Sequence, residues 1–337
     1  MMLKVALIGA GKMGISHLSI LGAHPEVKVV GVCDTAKLVV DVLDKYSPFP
    51  CFTDHKKLIS STKPDAVFVA APTKHHAAIV KELLEQNIHV FVEKPFCLTP
   101  DEGAPLVALA KKNKLVNQVG YHNKFTGTWQ EVKRLVDANA LGDILHVQGE
   151  SYGPVVIKKQ TYTWRSDPNE GGGCLMEYAS HVIDLINYVV APITQVDSSI
   201  LKSIYSKSVE DAVYALIKLQ NGATGSVSVN WSDETYRVMS TSVTITGTKG
   251  KIVSDINELR VYFKDKKAPS GYTKGWNVKY ITDLTQTIDF YLRGEEYSSQ
   301  IDYFIKSIIQ NKPNTINTFE SAWLTDKSID LIRTNAK

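Results

Sequence analysis

Apolar positions in the first 121 residues gather into short runs, at 3–8, 27–33, 65–70, 88–92 and 115–121. Runs of this length without alternation predict strands buried on both faces. The segments between them carry helical spacing, at 15–22, 36–46, 75–86 and 100–113. Thr99 reads as a cap for the last of these, with Pro100 at the first helical position and Asp101 and Glu102 in the first turn. Cys51-Phe52 reads as a short strand, and Asp54 as the cap of a helix over 55–60. Strands alternating with helices predict a parallel, doubly wound α/β sheet.

Beyond residue 123 the rhythm changes. A helix over 129–139 is stopped by Gly142, a strand covers 143–152, and an irregular polar stretch runs to 173. Helical spacing returns at 175–190. From 193 to about 281 strand follows strand, with Asn221-Gly222 between two β-rich runs as a hairpin signal. Helices over 298–310 and 319–333 close the chain. The expectation is two domains, 1–123 and 124–337, the second of α+β type with an open, mostly antiparallel sheet.

Composition narrows the partners. The 337 residues carry a net charge of +3 and 22% charged side chains, ordinary values for a globular protein. The lysine clusters at 111–114 and 264–267 are short and read as solvated helix ends and loop tips, so no nucleic-acid partner is expected. Cys33, Cys51, Cys97 and Cys174 show no metal or disulfide spacing and fit reduced thiols. The first residues lack a signal-peptide pattern, and no apolar run approaches the roughly 20 residues that cross a bilayer. A cytoplasmic protein with no membrane partner is expected, in which the sequon Asn230-Trp231-Ser232 is silent.

The most specific chemistry lies in Gly9-Ala10-Gly11-Lys12-Met13-Gly14, directly after the first predicted strand. Gly9 suits a tight turn, Gly11 leaves room for a pyrophosphate to approach the backbone, and Gly14 lets the following helix pack closely. Asp34, twenty positions beyond Gly14 at the end of the second strand, is placed for ribose hydroxyls. A βαβ unit whose glycines serve packing alone is the alternative. Ligands of such sheets bind at the carboxyl ends of the strands, which puts Gly9 to Gly14, Asp34, Pro72, Thr73, Lys94 and Tyr121 on one rim. No arginine follows Asp34 to receive a 2′-phosphate. A carboxylate about 4 Å from a phosphate charge is repelled by roughly 4 kcal/mol at an effective dielectric of about 20. NAD(H) is therefore the expected cofactor, with NADP(H) left open by Lys37.

Glu93-Lys94-Pro95 ends the 88–92 strand. Proline keeps the preceding residue extended, so Lys94 sits at the rim where its ammonium can hold a substrate hydroxyl and stabilise alkoxide charge. Gly171-Gly172-Gly173 permits a close backbone approach just before a helix on which Glu177, His181 and Asp184 share a face. A carboxylate one turn from an imidazole can fix its tautomer, which suits reversible proton transfer by His181. His75 and His76 point to different sides of a helix and make no metal site; His76 reads as lining the cofactor cleft, with Pro72, Thr73 and Glu93. Tyr121, Asp211 and Trp231 line a pocket or serve packing.

Taken together, the glycine loop, Asp34, Pro72-Thr73-Lys74-His75-His76, Glu93-Lys94-Pro95, Gly120-Tyr121 and 171–184 resemble the glucose–fructose oxidoreductase / inositol dehydrogenase / MocA (Gfo/Idh/MocA) family over essentially the whole chain. The resemblance implies a Rossmann domain followed by a sheet domain often used for homodimers or homotetramers. It also implies hydride exchange with a sugar, sugar nucleotide or cyclitol. By position Lys94 matches the catalytic lysine and His181 the proton-transferring histidine, with Tyr121 and Glu177 on the substrate side. Glu177 falls where members usually carry aspartate, and Lys124 where many carry arginine. A member that binds NAD and sugar without turnover, or an NAD-assisted glycoside hydrolase, are the rival readings.

Overall fold

The computed structural model describes residues 2–159, 163–265, 268–285, 287–288 and 294–337. Lys266 and Lys267 of the second lysine cluster, and 160–162 of the irregular stretch, lie outside the described residues. The chain divides into two compact units, Met1–His122 with Ile288–Trp323, and Asn123–Thr287 with Leu324–Lys337.

In the first unit the strands are β1 (Leu3–Ile8), β2 (Val27–Cys33), β3 (Cys51–Phe52), β4 (Ala66–Val69), β5 (His89–Val92) and β6 (Asn117–Val119). The helices α1 (Lys12–Ala23), α2 (Lys37–Tyr46), α3 (His55–Thr62), α4 (His76–Glu85) and α5 (Pro100–Lys112) alternate with them. The sheet order is β3-β2-β1-β4-β5-β6 and every pairing is parallel. The order reverses between β1 and β4, the switch point where such sheets open a crevice. Alternate residues feed two cores, which is why the strands read as continuous apolar runs. Val67, Val69, Val90 and Val92 meet Leu83 and Leu84 of α4 and Leu106 of α5. Val5, Leu7, Phe68 and Phe91 meet Ile20 and Leu21 of α1.

That second core is completed from far along the chain. Phe304, on the helix Glu295–Ile309, lies edge-on to Phe68 at 5.5 Å and to Phe91 at 5.9 Å. On the other side of the sheet, Phe319 packs 4.5 Å from Phe96 in the first core. The change of rhythm at 123 predicts that everything after it joins the second domain; 288–323 instead belongs to the first unit. Helical periodicity reveals an apolar stripe but not which sheet it covers.

The second unit places α6 (Gly127–Asp137) and α7 (Ser180–Val189) on one face of an eight-stranded sheet. Its strands are β7 (Ile144–Tyr152), β8 (Ile193–Lys202), β9 (Ala212–Leu219), β10 (Thr224–Asn230), β11 (Ser240–Gly247), β12 (Gly250–Ser254), β13 (Glu258–Phe263) and β14 (Gly275–Tyr280). The order is β14-β13-β12-β11-β7-β10-β9-β8, antiparallel except for the parallel pair β7–β10. Gly222, at φ +87°, turns the β9–β10 hairpin as the Asn-Gly pair predicts. The outer face carries exposed Tyr214, Leu216, Trp276 and Val278 among polar neighbours. The helix expected over 175–190 begins as a π-helical turn, Leu175–Ala179, before α7.

Candidate active site

The glycine loop is fixed by what side chains would meet. Gly9 has φ +93°, and a Cβ there would lie 2.6 Å from the Ala70 carbonyl carbon. A Cβ at Gly14 would fall on the Gly9 carbonyl oxygen. At Gly11 a Cβ meets nothing within 4 Å, so the space before the loop is open. Helix α1 starts there with no side-chain cap, and its first internal bond runs from Ile15 N to Gly11 O at 2.9 Å. Lys12 and Met13 stand at this helix start, where unpaired N–H groups and the helix dipole favour an anion. Asp34 Oδ2 accepts from Ala10 N at 2.7 Å and Oδ1 from Ala36 N at 2.8 Å. Each oxygen keeps a lone pair for a ribose hydroxyl. These residues fit a dinucleotide.

At the end of β5, Glu93 is buried and its Oε1 stands 2.6 Å from Nε2 of His17, which is also buried. Its Oε2 accepts from Lys94 N at 3.3 Å. Gly120 leaves the space this carboxylate needs, since a Cβ there would come within 2.8 Å of Oε1. Burial pushes the Glu93 carboxyl upward, but the hydrogen bond from His17 and the nearby charges of Lys94 and His122 hold it below its ordinary value. The Lys94–Pro95 peptide is cis, and Lys94 is half-buried.

His76, expected beside the cofactor, is buried between two loops. It is 1% exposed, with Nε2 2.9 Å from the Ala71 carbonyl and Nδ1 3.0 Å from that of Pro95. Burial lowers its pKa. The ring packs between the loop after β4 and the loop after β5, with one N–H to donate to a carbonyl of either. Pro72 is exposed, and Thr73 is buried in the short turn Thr73–His75. Tyr121 is 1% exposed and lies in the first unit's core, its carbonyl accepting from Asn317 Nδ2 at 2.6 Å.

In the second unit the three glycines lie against the chain's own loop. Gly172 N donates to Asp167 O at 2.9 Å and Gly173 N to Arg165 O at 3.1 Å. Arg165 grips Glu177 in a fork, Nε to Oε2 at 2.9 Å and Nη2 to Oε1 at 3.1 Å. Glu210 accepts from Leu175 N at 2.7 Å at the start of the π-helical turn. Burial raises the Glu210 carboxyl. His181 is buried in the first turn of α7. Asp184 is taken by Lys124 at 2.7 Å, a fully buried pair to which Thr325 adds a hydroxyl at 3.3 Å. A cavity of about 490 Å³ is lined by Lys159, Arg165, Ser206, Lys207 and Trp231, among others. Asp211 holds its wall, accepting from Trp231 Nε1 at 2.6 Å and from the backbone N–H groups of Ile204, Tyr205 and Ser206. Asp211 thus braces the cavity from behind, and Trp231 both bonds to it and lines the cavity.

Sequence reasoning missed His17, Arg165 and Glu210. His17 carried one available signal, three positions after Gly14 on the helix face that meets the sheet. Arg165 lies in a stretch without periodicity, where no pattern could point to it.

The chain matches the GFO_IDH_MocA profile, described as an oxidoreductase family with an NAD-binding Rossmann fold, over residues 3–121. The GFO/IDH/MocA C-terminal domain matches over residues 129–253. It is 26% identical over 241 residues to D-glucoside 3-dehydrogenase of Escherichia coli (strain K12), covering 65% of this chain and 68% of that one. It is 25% identical over 314 residues to levoglucosan dehydrogenase of Pseudarthrobacter phenanthrenivorans, covering 79% and 77%. The solved structure of a levoglucosan dehydrogenase in complex with NADH and levoglucosan shares the fold, with a TM-score of 0.88 at 23% identity, covering 100% of this chain and 97% of that one. With both halves matched and the dinucleotide loop intact, the chain belongs to the Gfo/Idh/MocA family of NAD-binding oxidoreductases.

Proposed function

We propose that this protein exchanges hydride between NAD(H) and a carbinol or carbonyl carbon of a sugar, sugar nucleotide or cyclitol. The observation that carries the reading is Lys94, a half-buried ammonium just past the end of β5, two strands along from the cofactor loop. Bound NAD(H) supplies the hydride chemistry. The N–H groups at the start of α1 hold its pyrophosphate and Asp34 its ribose. Lys94 Nζ steadies negative charge on the reacting oxygen, the His181 imidazole carries the hydroxyl proton, and Glu177, locked by Arg165, positions that imidazole. Similarity to sugar dehydrogenases supports the substrate class.

The test is a panel of cyclitols, free sugars and sugar nucleotides with NAD and NADP, followed by absorbance of the reduced cofactor. With a substrate in hand, Lys94→Ala and His181→Ala each lower turnover by about 100-fold or more and leave NADH affinity nearly unchanged. Near-normal rates in both variants would refute the assignment, and NADH binding with no turnover across the panel would favour a sensing role. We further assign the outer face of the eight-stranded sheet to self-association as a homodimer or homotetramer, and the cytoplasm as the compartment, in keeping with four free cysteines.

A further inference from the structure

Glu93 belongs by sequence to the cofactor side, yet its carboxylate points into the protein. A carboxylate so far from water persists only with partners. His17 faces it from α1, Lys94 from the next position in the chain, and His122 from the turn after β6; His76, at the start of α4, is the next titratable group. His17 Nδ1 is buried with no hydrogen-bond partner among the described residues. Its ring proton therefore belongs on Nε2, against Glu93, because a proton on Nδ1 would be buried with nothing to accept it. The ring gives the carboxylate one hydrogen bond, the Lys94 backbone N–H gives a second, and the negative charge lies within reach of the Lys94 ammonium's field. The backbone fixes the arrangement: Glu93 N donates to Val69 O at 2.8 Å, and Gly120 clears the space.

We propose that Glu93, held by His17, is a positioning residue for Lys94: a buried counter-charge that sets the place of the ammonium, and not a ligand of the cofactor. This rests on the role given to Lys94 above. It ties the helix that carries the dinucleotide loop to the lysine that carries the chemistry through one 2.6 Å contact.

The test uses the full chain, with Glu93→Gln, His17→Leu, His17→Gln and Lys94→Ala. Three quantities are measured: turnover against pH at saturating cofactor, NADH affinity by fluorescence titration, and melting of the cofactor-free protein against pH. Glu93→Gln is expected to lower kcat by about 10- to 100-fold while NADH affinity changes by less than about threefold. His17→Leu strips the carboxylate of its donor, so Glu93 takes up a proton at higher pH. The acid limb of kcat then moves up by about one pH unit or more, with turnover recovering in alkali. His17→Gln offers an N–H again and restores most of the profile. In the cofactor-free wild type, the depressed Glu93 carboxyl contributes stability above the ordinary carboxylate range and loses it as pH falls through its own value. In His17→Leu that pH slope reverses.

A tenfold or greater loss of NADH affinity in Glu93→Gln with unchanged kcat would make Glu93 a cofactor ligand and overturn the proposal. So would an unshifted pH profile in His17→Leu, which also decides the matter if Glu93→Gln does not fold. An inactive Lys94→Ala beside a fully active Glu93→Gln sinks the counter-charge alone; an active Lys94→Ala sinks the reading beneath it as well.

Discussion

Gly11 and Gly14 differ in what a methyl group would meet. At Gly14 it strikes the Gly9 carbonyl, whereas at Gly11 it enters open space. Gly14→Ala should therefore destabilise the fold by about 1–3 kcal/mol, read from thermal melting. Gly11→Ala should melt within a degree or two of the wild type and yet bind NADH at least about tenfold more weakly, since the methyl stands where the pyrophosphate approaches. Equal effects of the two substitutions on melting would contradict this division. The glycine spacing was legible because the turn itself demands those residues. The His17–Glu93 contact was not, because its partners lie 76 positions apart and a lone histidine on a helix names no partner. The burial of His76 was equally hidden: its ring nitrogens face the carbonyls of Pro95 and Ala71, which a place at a helix start near the rim does not reveal.

Elements of the second unit are held by buried charges that periodicity cannot reveal. Asp211 is the clearest, since one carboxylate gathers three backbone N–H groups, a serine hydroxyl and the Trp231 indole. Burial pushes its carboxyl up, and these hydrogen bonds outweigh burial and hold it below the usual range. Its contribution is thus present above the unfolded value of about 3.9 and lost as pH falls through the depressed one. Asp211→Ala should cost about 2–4 kcal/mol by chemical denaturation, and Asp211→Asn should flatten the acid limb of stability. The Lys124–Asp184 pair behaves oppositely. Burial raises Asp184 even with Lys124 beside it, so its contribution to stability is present at low pH and falls as pH rises through the raised value. Lys124→Met alone should cost about 3–5 kcal/mol, and the double variant Lys124→Met with Asp184→Leu should recover that loss. If the double variant is no more stable than Lys124→Met, the pair is favourable in itself. The helix over 175–190 was readable from its apolar spacing. Its π-helical opening depends on Glu210, Arg165 and the 165–167 loop, which reach it from elsewhere in the chain.

For the whole molecule, the alternation of strands and helices made the parallel sheet legible, and the Asn-Gly hairpin the antiparallel one. The ownership of the late helices stayed hidden, because helical periodicity carries no address. The outer face of the large sheet sets Tyr214 and Leu216 on β9, and Trp276 and Val278 on β14, into solvent. Light scattering should report a dimer or tetramer, and Leu216→Lys with Tyr214→Lys should shift the mass toward the monomer; a wild-type monomer at micromolar concentration would rule the surface out. The return of 288–323 to the first unit bears on how the chain is made. Residues 1–123 leave the ribosome long before Phe304 exists to cover Phe68 and Phe91. The dinucleotide sheet thus waits, one face incomplete, until the intervening 165 residues, Asn123–Thr287, have been synthesised. Cutting at residue 123 should give an aggregating fragment, and joining 1–122 to 288–323 through a flexible linker should give a soluble one that binds NADH.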